Sequence, residues 1–166
     1  MTLAEAAAQA DSLAESGSEQ ELSKLRAEWS DEIEAAVRNA DYRERAVGYR
    51  AIGQFRFKQK TELLRRGLED ESPSVRGSAL VSLERLSRDA PGVVNGVRGL
   101  LHEMVNADGN QAVRRLAVVC LRNGSPQRET IVLLEGLSED DRVDRDLQEV
   151  AAKVGAQLRK RASARH

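Results

Sequence analysis

Apolar residues recur along this chain three and four places apart, the spacing of one helical face, and no stretch alternates as a half-buried strand would. Val75, Ala79, Leu80, Leu83 and Leu86 form one such face, and Val113, Ala117, Val118 and Leu121 form another. The punctuation agrees. Pro73, Pro91 and Pro126 all stand where a helix can begin, at positions whose backbone N–H has no intrahelical acceptor. Ser18, Asp41 and Ser138 are candidate caps, each with an acidic residue three places on. These signals predict helices near 3–15, 19–39 with Ser30 as a candidate break, 42–54, 58–69, 73–88, 91–106, 111–122, 126–137 and 141–160. The short connections make neighbouring helices antiparallel, in a closed bundle or in a stack of hairpins.

An internal repeat favours the stack. Asp70, Val75, Arg76, Ala79, Leu80 and Leu83 align at identical spacings with Asp108, Val113, Arg114, Ala117, Val118 and Leu121. Two degraded copies flank them. In the earlier one, Tyr42-Arg43 followed by Ala46-Val47, Arg50 stands where the leucine belongs; in the later one, Val143-Asp144 followed by Leu147 and Ala151, Asp144 replaces the arginine. Degraded end copies are expected, because a terminal unit has solvent on one side and presents a polar outer face.

The pattern Pro-x-Val-Arg-x-x-Ala-x-x-x-Leu after an acidic turn resembles the HEAT repeat, over residues 42 to about 158. The resemblance implies an all-α fold: a right-handed α-solenoid of stacked antiparallel helix pairs with polar capping helices. It implies that Asp70, Arg76, Asp108 and Arg114 form a structural ladder between adjacent units. It also implies a groove lined by the second helix of each pair, near 58–69, 91–106 and 126–137. The expected organisation is an acidic helical cap over 1–41, with 1–17 as a loosely held helix in the alternative, then the repeat domain over 42–158 and a basic tail over 159–166.

Composition narrows the function. The 26 basic and 27 acidic side chains nearly cancel, so any attraction for a charged partner is local. It has a definite place. Residues 1–41 hold ten acidic and three basic side chains, whereas 42–128 hold sixteen basic and nine acidic. The basic residues concentrate in 42–66, with Tyr49, Phe55 and Phe57 interleaved. Such a mixture suits an acidic protein partner, or phosphate contacts with stacking on nucleic acid. In the structural alternative the aromatics fill the first interlayer core and the arginines pair with the acidic N-terminal segment. Arg56, Lys58, Lys60, Arg65, Arg66, Arg98 and Arg128 lie in or beside the groove helices and are the expected partner-binding residues.

Catalytic constellations are thin. Cys120 lies in the apolar run from Leu116 to Leu121, where a buried thiol is expected, and a single cysteine points to a reducing, cytoplasmic setting. His102 reads as a boundary residue, and with the terminal His166 makes too few histidines for a zinc site, so no metal or cofactor is expected. The acidic run Glu139, Asp140, Asp141, Asp144 and Asp146 reads as a helix-start cap, with Asp141 and Arg145 suitably spaced for an ion pair. Gly92, Gly96 and Gly99 suggest a close helix crossing, not a phosphate loop, since no strand precedes them. No apolar run approaches a membrane span. The expected function is that of a non-enzymatic scaffold or adaptor for a protein with an acidic surface. The alternative is nucleic-acid binding, by analogy with alkylpurine DNA glycosylases built on HEAT-like repeats, whose catalytic residues have no counterpart here.

Overall fold

The computed structural model describes residues 1–164, so His166 lies outside the described residues. Ten α-helices and one 3-10 turn make up the described chain, and no strand occurs among the described residues. The chain divides into two compact units, Met1–Leu86 and the part from Ser87 onward.

The first unit opens with α1 (Leu3–Glu15), started by a capping box in which Thr2 Oγ accepts from the Glu5 amide and the Glu5 carboxylate accepts from the Thr2 amide. Gly17, at φ 73, turns the chain into α2 (Glu19–Val37). Ser30 does not break α2, because Leu22, Trp29, Ile33 and Val37 form one buried stripe that runs through it. Ser18 precedes α2 without making a side-chain cap bond. Asp41 does cap α3 (Tyr42–Gln54), accepting from the Arg43 amide at 2.9 Å. A 3-10 turn (Lys58–Lys60) leads into α4 (Thr61–Leu68), and α5 (Pro73–Ser87) buries the predicted Val75, Ala79, Leu80, Leu83 and Leu86.

Close packing in this unit depends on missing side chains. A Cβ at Gly53 would lie 2.7 Å from the Ser82 Cα, and one at Gly67 would lie 2.8 Å from the Tyr49 ring. The fully buried Ser82 hydroxyl exploits that approach. It accepts from the Gly53 amide at 2.9 Å and donates to the carbonyl oxygens of Tyr49 and Arg50, so a buried polar atom is satisfied by the neighbouring helix.

The second unit contains α6 (Gly92–Asn95), α7 (Arg98–Ala107), α8 (Gln111–Leu121), α9 (Arg128–Ser138) and α10 (Arg145–Ser163). Val113, Ala117, Val118 and Leu121 are buried along α8 as the spacing predicts, and Asn110 caps it by accepting from the Val113 amide. Four expectations are corrected. The helix expected over 91–106 is interrupted at Gly96-Val97, and nothing lies within 4 Å of a Cβ built at Gly92 or Gly99, so these glycines serve a break and not a helix crossing. Close approach occurs instead at Gly124, where a Cβ would meet Val94 at 2.7 Å. Ser138 ends α9, with its hydroxyl on the Glu135 carbonyl, and the next helix starts four residues later than predicted because Asp144 supplies the cap. Arg145 pairs with Glu149 at 3.2 Å and not with Asp141, which precedes the helix.

Within each unit the helices pack in neighbouring pairs. In the first, α1 packs on α2, α2 on α3 and α3 on α4; in the second, α7 packs on α8 and α9 on α10. Helices two places apart also touch, α1 with α3 and α8 with α10, as required where one hairpin stacks on the next. This is the arrangement of an α-solenoid.

Candidate partner-binding surface

The turn after α3 decides which cations are available. Phe55 and Phe57 are both buried, and Arg56 between them takes a left-handed φ of 52, rare for a side chain with a Cβ. Its guanidinium is thereby turned inward. Nη1 donates to the Gly53 carbonyl at 2.9 Å, the Gln54 carbonyl at 3.1 Å and the Asp11 carboxylate at 2.7 Å. Glu15 lies 3.5 Å from Nη2, within ion-pair range but without a hydrogen bond. Lys60 is equally enclosed, with its ammonium 3.3 Å from Glu34 and 4.6 Å from the centre of the Phe57 ring. Arg26 of α2 donates to the Phe55 carbonyl at 2.7 Å. Acidic residues of α1 and α2 therefore hold Arg56 and Lys60 from within the same unit, and Tyr49, Phe55 and Phe57 fill the core instead of offering faces for stacking.

Arg65 and Arg66 stand differently. Leu64, Gly67 and Leu68 take the buried side of α4, which turns both arginines to solvent. They line a shallow surface depression together with Glu62, Glu69 and Asp70, yet neither makes an ion pair. Lys58, on the 3-10 turn, is also exposed and unpaired. In the second unit Arg98 is structural: it donates to Asn95 Oδ1 and, at 3.3 Å, to the Ser125 carbonyl. Arg128, the first residue of α9, is exposed and unpaired. Of the seven predicted partner-binding residues, Arg65 and Arg66 thus line one depression of the first unit, Lys58 is exposed on the turn before α4, Arg128 stands by itself in the second unit, and Arg56, Lys60 and Arg98 have intramolecular roles.

Asp70, which lines the same depression, belongs to a partly buried ion pair that the repeat alignment did not anticipate. Arg45 grips Asp70 with two bonds, Nε–Oδ2 at 2.9 Å and Nη2–Oδ1 at 3.1 Å, while its Nη1 donates to the carbonyls of Asn39 and Ala40. Burial pushes the Asp70 carboxyl up. The Arg45 bonds, the Ser72 amide and the charges of Arg45 and Arg76 outweigh it and hold the group below its ordinary range. Arg76 donates to the Asp70 and Glu71 carbonyls at 3.0 and 3.1 Å, so it fastens the turn backbone. In the second unit Arg115 reaches Asp144, the N-cap of α10, at 3.0 Å, and Arg114 donates to the Val105 carbonyl at 2.7 Å. The sequence signal for Arg45 and Arg115 is their register. Arg45 and Arg115 each sit one or two places beyond the aligned Val-Arg arginine, on the helical face that turns toward the next aspartate.

Residues 45–157, well over half of the chain, match the model of Cnd1, the non-SMC mitotic condensation complex subunit 1. The chain belongs to the Cnd1 family. That family is one of HEAT repeats, which agrees with the repeat seen here. The Cnd1 match begins within α3, so α1 and α2 precede it, whereas Arg56, Arg65, Arg66 and Arg128 fall inside it. Among curated proteins and solved structures none matches the chain.

Other chemistry recedes on inspection. His102 Nε2 lies 2.8 Å from the Thr130 hydroxyl, and burial lowers the pKa of the imidazole below its ordinary value. Cys120 is buried in α8. Among the described residues no three His, Cys, Asp or Glu side chains are grouped to hold a metal ion, and no helix is long and apolar enough to cross a membrane. The basic run that begins at Arg159 belongs to α10. Arg159 clamps Glu135 with bonds of 2.8 and 2.6 Å, and Arg161 donates to the carbonyls of Arg122 and Gly124 at the end of α8.

Proposed function

We propose that this chain is a non-catalytic HEAT-like scaffold that docks a protein partner with an acidic surface on the face formed by Lys58, Arg65 and Arg66, with Arg128 as a separate cation of the second unit. Membership of the Cnd1 family, described as a subunit of a mitotic condensation complex, supports a role in a multiprotein assembly, in a cytoplasmic setting consistent with the single cysteine. One observation carries the reading: Arg65 and Arg66 remain exposed and unpaired although Glu62 and Glu69 line the same depression. Exposed cations without intramolecular partners give up little hydration until a partner supplies carboxylates, and they steer encounter by charge. Burial of Tyr49, Phe55 and Phe57, the aromatics interleaved with the basic run, removes them as stacking faces and favours protein over single-stranded nucleic acid.

The test is a titration with a labelled glutamate-rich peptide and, in parallel, with DNA and RNA at two salt concentrations. Binding of the peptide that falls at least tenfold on Arg65→Glu/Arg66→Glu supports the reading. Nucleic-acid affinity that drops steeply with salt, with no peptide binding, would replace it by the nucleic-acid alternative. Peptide binding untouched by the double reversal would move the site elsewhere.

A further inference from the structure

We infer that α1 is an exchangeable strap, filling in cis a groove that takes an acidic, small-residue amphipathic helix of a protein partner. The observation behind it is unequal anchoring. Every buried residue of α1 is an alanine, Ala6, Ala7 and Ala10, whereas α2 is held by Leu22, Trp29, Ile33 and Val37. Alanine offers the smallest apolar side chain that can be removed from water, so α1 gains the least from its own docking. Its larger residues, Leu3 and Leu13, are only half-buried.

What α1 covers is better built than what holds it. The groove is lined by α2 and α3, on both of which α1 packs, and ends at Arg56. That guanidinium is nine-tenths buried, held by two backbone carbonyls, and still leaves Nε and Nη2 without hydrogen bonds. A buried cation with unused donors is a carboxylate receptor. Asp11 satisfies one of its nitrogens and is itself nearly half-exposed; Glu15 approaches another without bonding. A helix that placed carboxylates on both nitrogens, behind a row of small residues, would fill the groove more completely than α1 does. The means of exchange is present. α1 is capped at its start by Thr2 and Glu5, and it is joined to α2 through Ser16, Gly17 and Ser18, with open space around Gly17. It can therefore leave as an intact helix by rotation at a glycine already in the left-handed region.

This rests on the scaffold reading for the nature of the occupant, but not on the face formed by Arg65 and Arg66. The probe is a fluorescein-labelled peptide of residues 1–17, which carries the occupant's chemistry, and the protein is the full chain. Neutralising the strap's own carboxylates by Asp11→Asn/Glu15→Gln should let the unaltered peptide bind at least tenfold more tightly than it binds the parent chain. A peptide bearing the same two substitutions should show no such gain, and neither should the protein with Arg56→Gln added. Independently, hydrogen exchange on the parent chain should find the α1 amides at least a hundredfold less protected than those from Trp29 to Val37. Equal protection of α1 and α2, or peptide affinity unchanged by the strap substitutions, would overturn the inference. So would a variant that forms a dimer, since the groove would then take α1 of a second copy. Loss of the glutamate-rich peptide's response to Arg65→Glu/Arg66→Glu sinks the docking face alone, so the two failures are distinguishable.

Discussion

The two units join helix pairs by the same device and set it at different depths. In the first, Arg45 and Asp70 are each about one-seventh exposed and make two parallel bonds; in the second, Arg115 and Asp144 are each about one-third exposed and make one. Close glycines are more numerous in the first unit: a Cβ at Gly48, Gly53 or Gly67 would collide with a neighbouring helix, whereas in the second unit only Gly124 is so tightly placed, against Val94, and Gly99 and Gly136 face open space. The contrast shows that sharing a repeat pattern does not mean sharing a tolerance. Where helices approach closely, water is excluded, and each polar group depends on its partner.

The sharpest way to break this contrast is to add one methyl group in each unit. Gly53→Ala forces a Cβ to within 2.7 Å of the Ser82 backbone, which has no rotamer by which to yield. Overpacking of this kind costs about 1 to 3 kcal/mol, and the displaced Ser82 hydroxyl adds to it. Gly136→Ala meets nothing within 4 Å on α9, so only helix propensity responds, with a gain of up to about 1 kcal/mol. Thermal melts should therefore move in opposite directions. Equal shifts would mean that the first unit's helices are not seated as closely as described.

The ion pairs give the next contrast. Asp70→Ala leaves Arg45 enclosed without its carboxylate, whereas Asp144→Ala leaves Arg115 with access to water. The first should lower the melting temperature by at least roughly 5 °C and the second by no more than roughly 2 °C. Asp144→Asn should retain most of the cap of α10, separating the ion pair from the N-cap bond to the Asp146 amide. A larger loss at Asp144 than at Asp70 would reverse the ranking of the two junctions.

Much of this was legible in the chain because helical spacing reports which face is buried. The stripes on α5 and α8 appear where Val75, Leu83, Val113 and Leu121 place them. The seven cations were harder. Whether an arginine is free depends on a neighbour's carboxylate and on one backbone angle, and neither has a period. Arg56 illustrates this: it sits among basic residues in sequence, but its left-handed φ sends it under Asp11, 45 residues earlier. Arg65 and Arg66 could be read as exposed because Leu64 and Leu68 claim the opposite face of α4. Arg114 and Arg115 are adjacent, and only helix rotation decides that Arg115 reaches Asp144 while Arg114 turns back to the Val105 carbonyl. Close crossing at Gly92, Gly96 and Gly99 failed for a related reason: a glycine marks either a contact or a break, and the residues across from it decide.

The smallest expected effect separates the units by pH. In the second unit burial depresses the His102 pKa, so the unfolded chain binds a proton more readily than the folded one below the ordinary value of 6.5. Stability contributed by neutral His102 is full above that pH and declines as the pH falls toward the depressed folded value. In the first unit the Asp70 pKa is also depressed, but from an ordinary value of 3.8, so its contribution persists until the pH drops below about 4 and is lost as the carboxylate protonates against Arg45. Melting temperature should then fall slightly between pH 7 and pH 5 and more steeply below pH 4. His102→Gln, which keeps a side chain able to bond Thr130, should flatten the first decline and leave the second intact. If the variant and the parent show the same slope between pH 7 and pH 5, His102 does not set it, and the two units do not differ in that range.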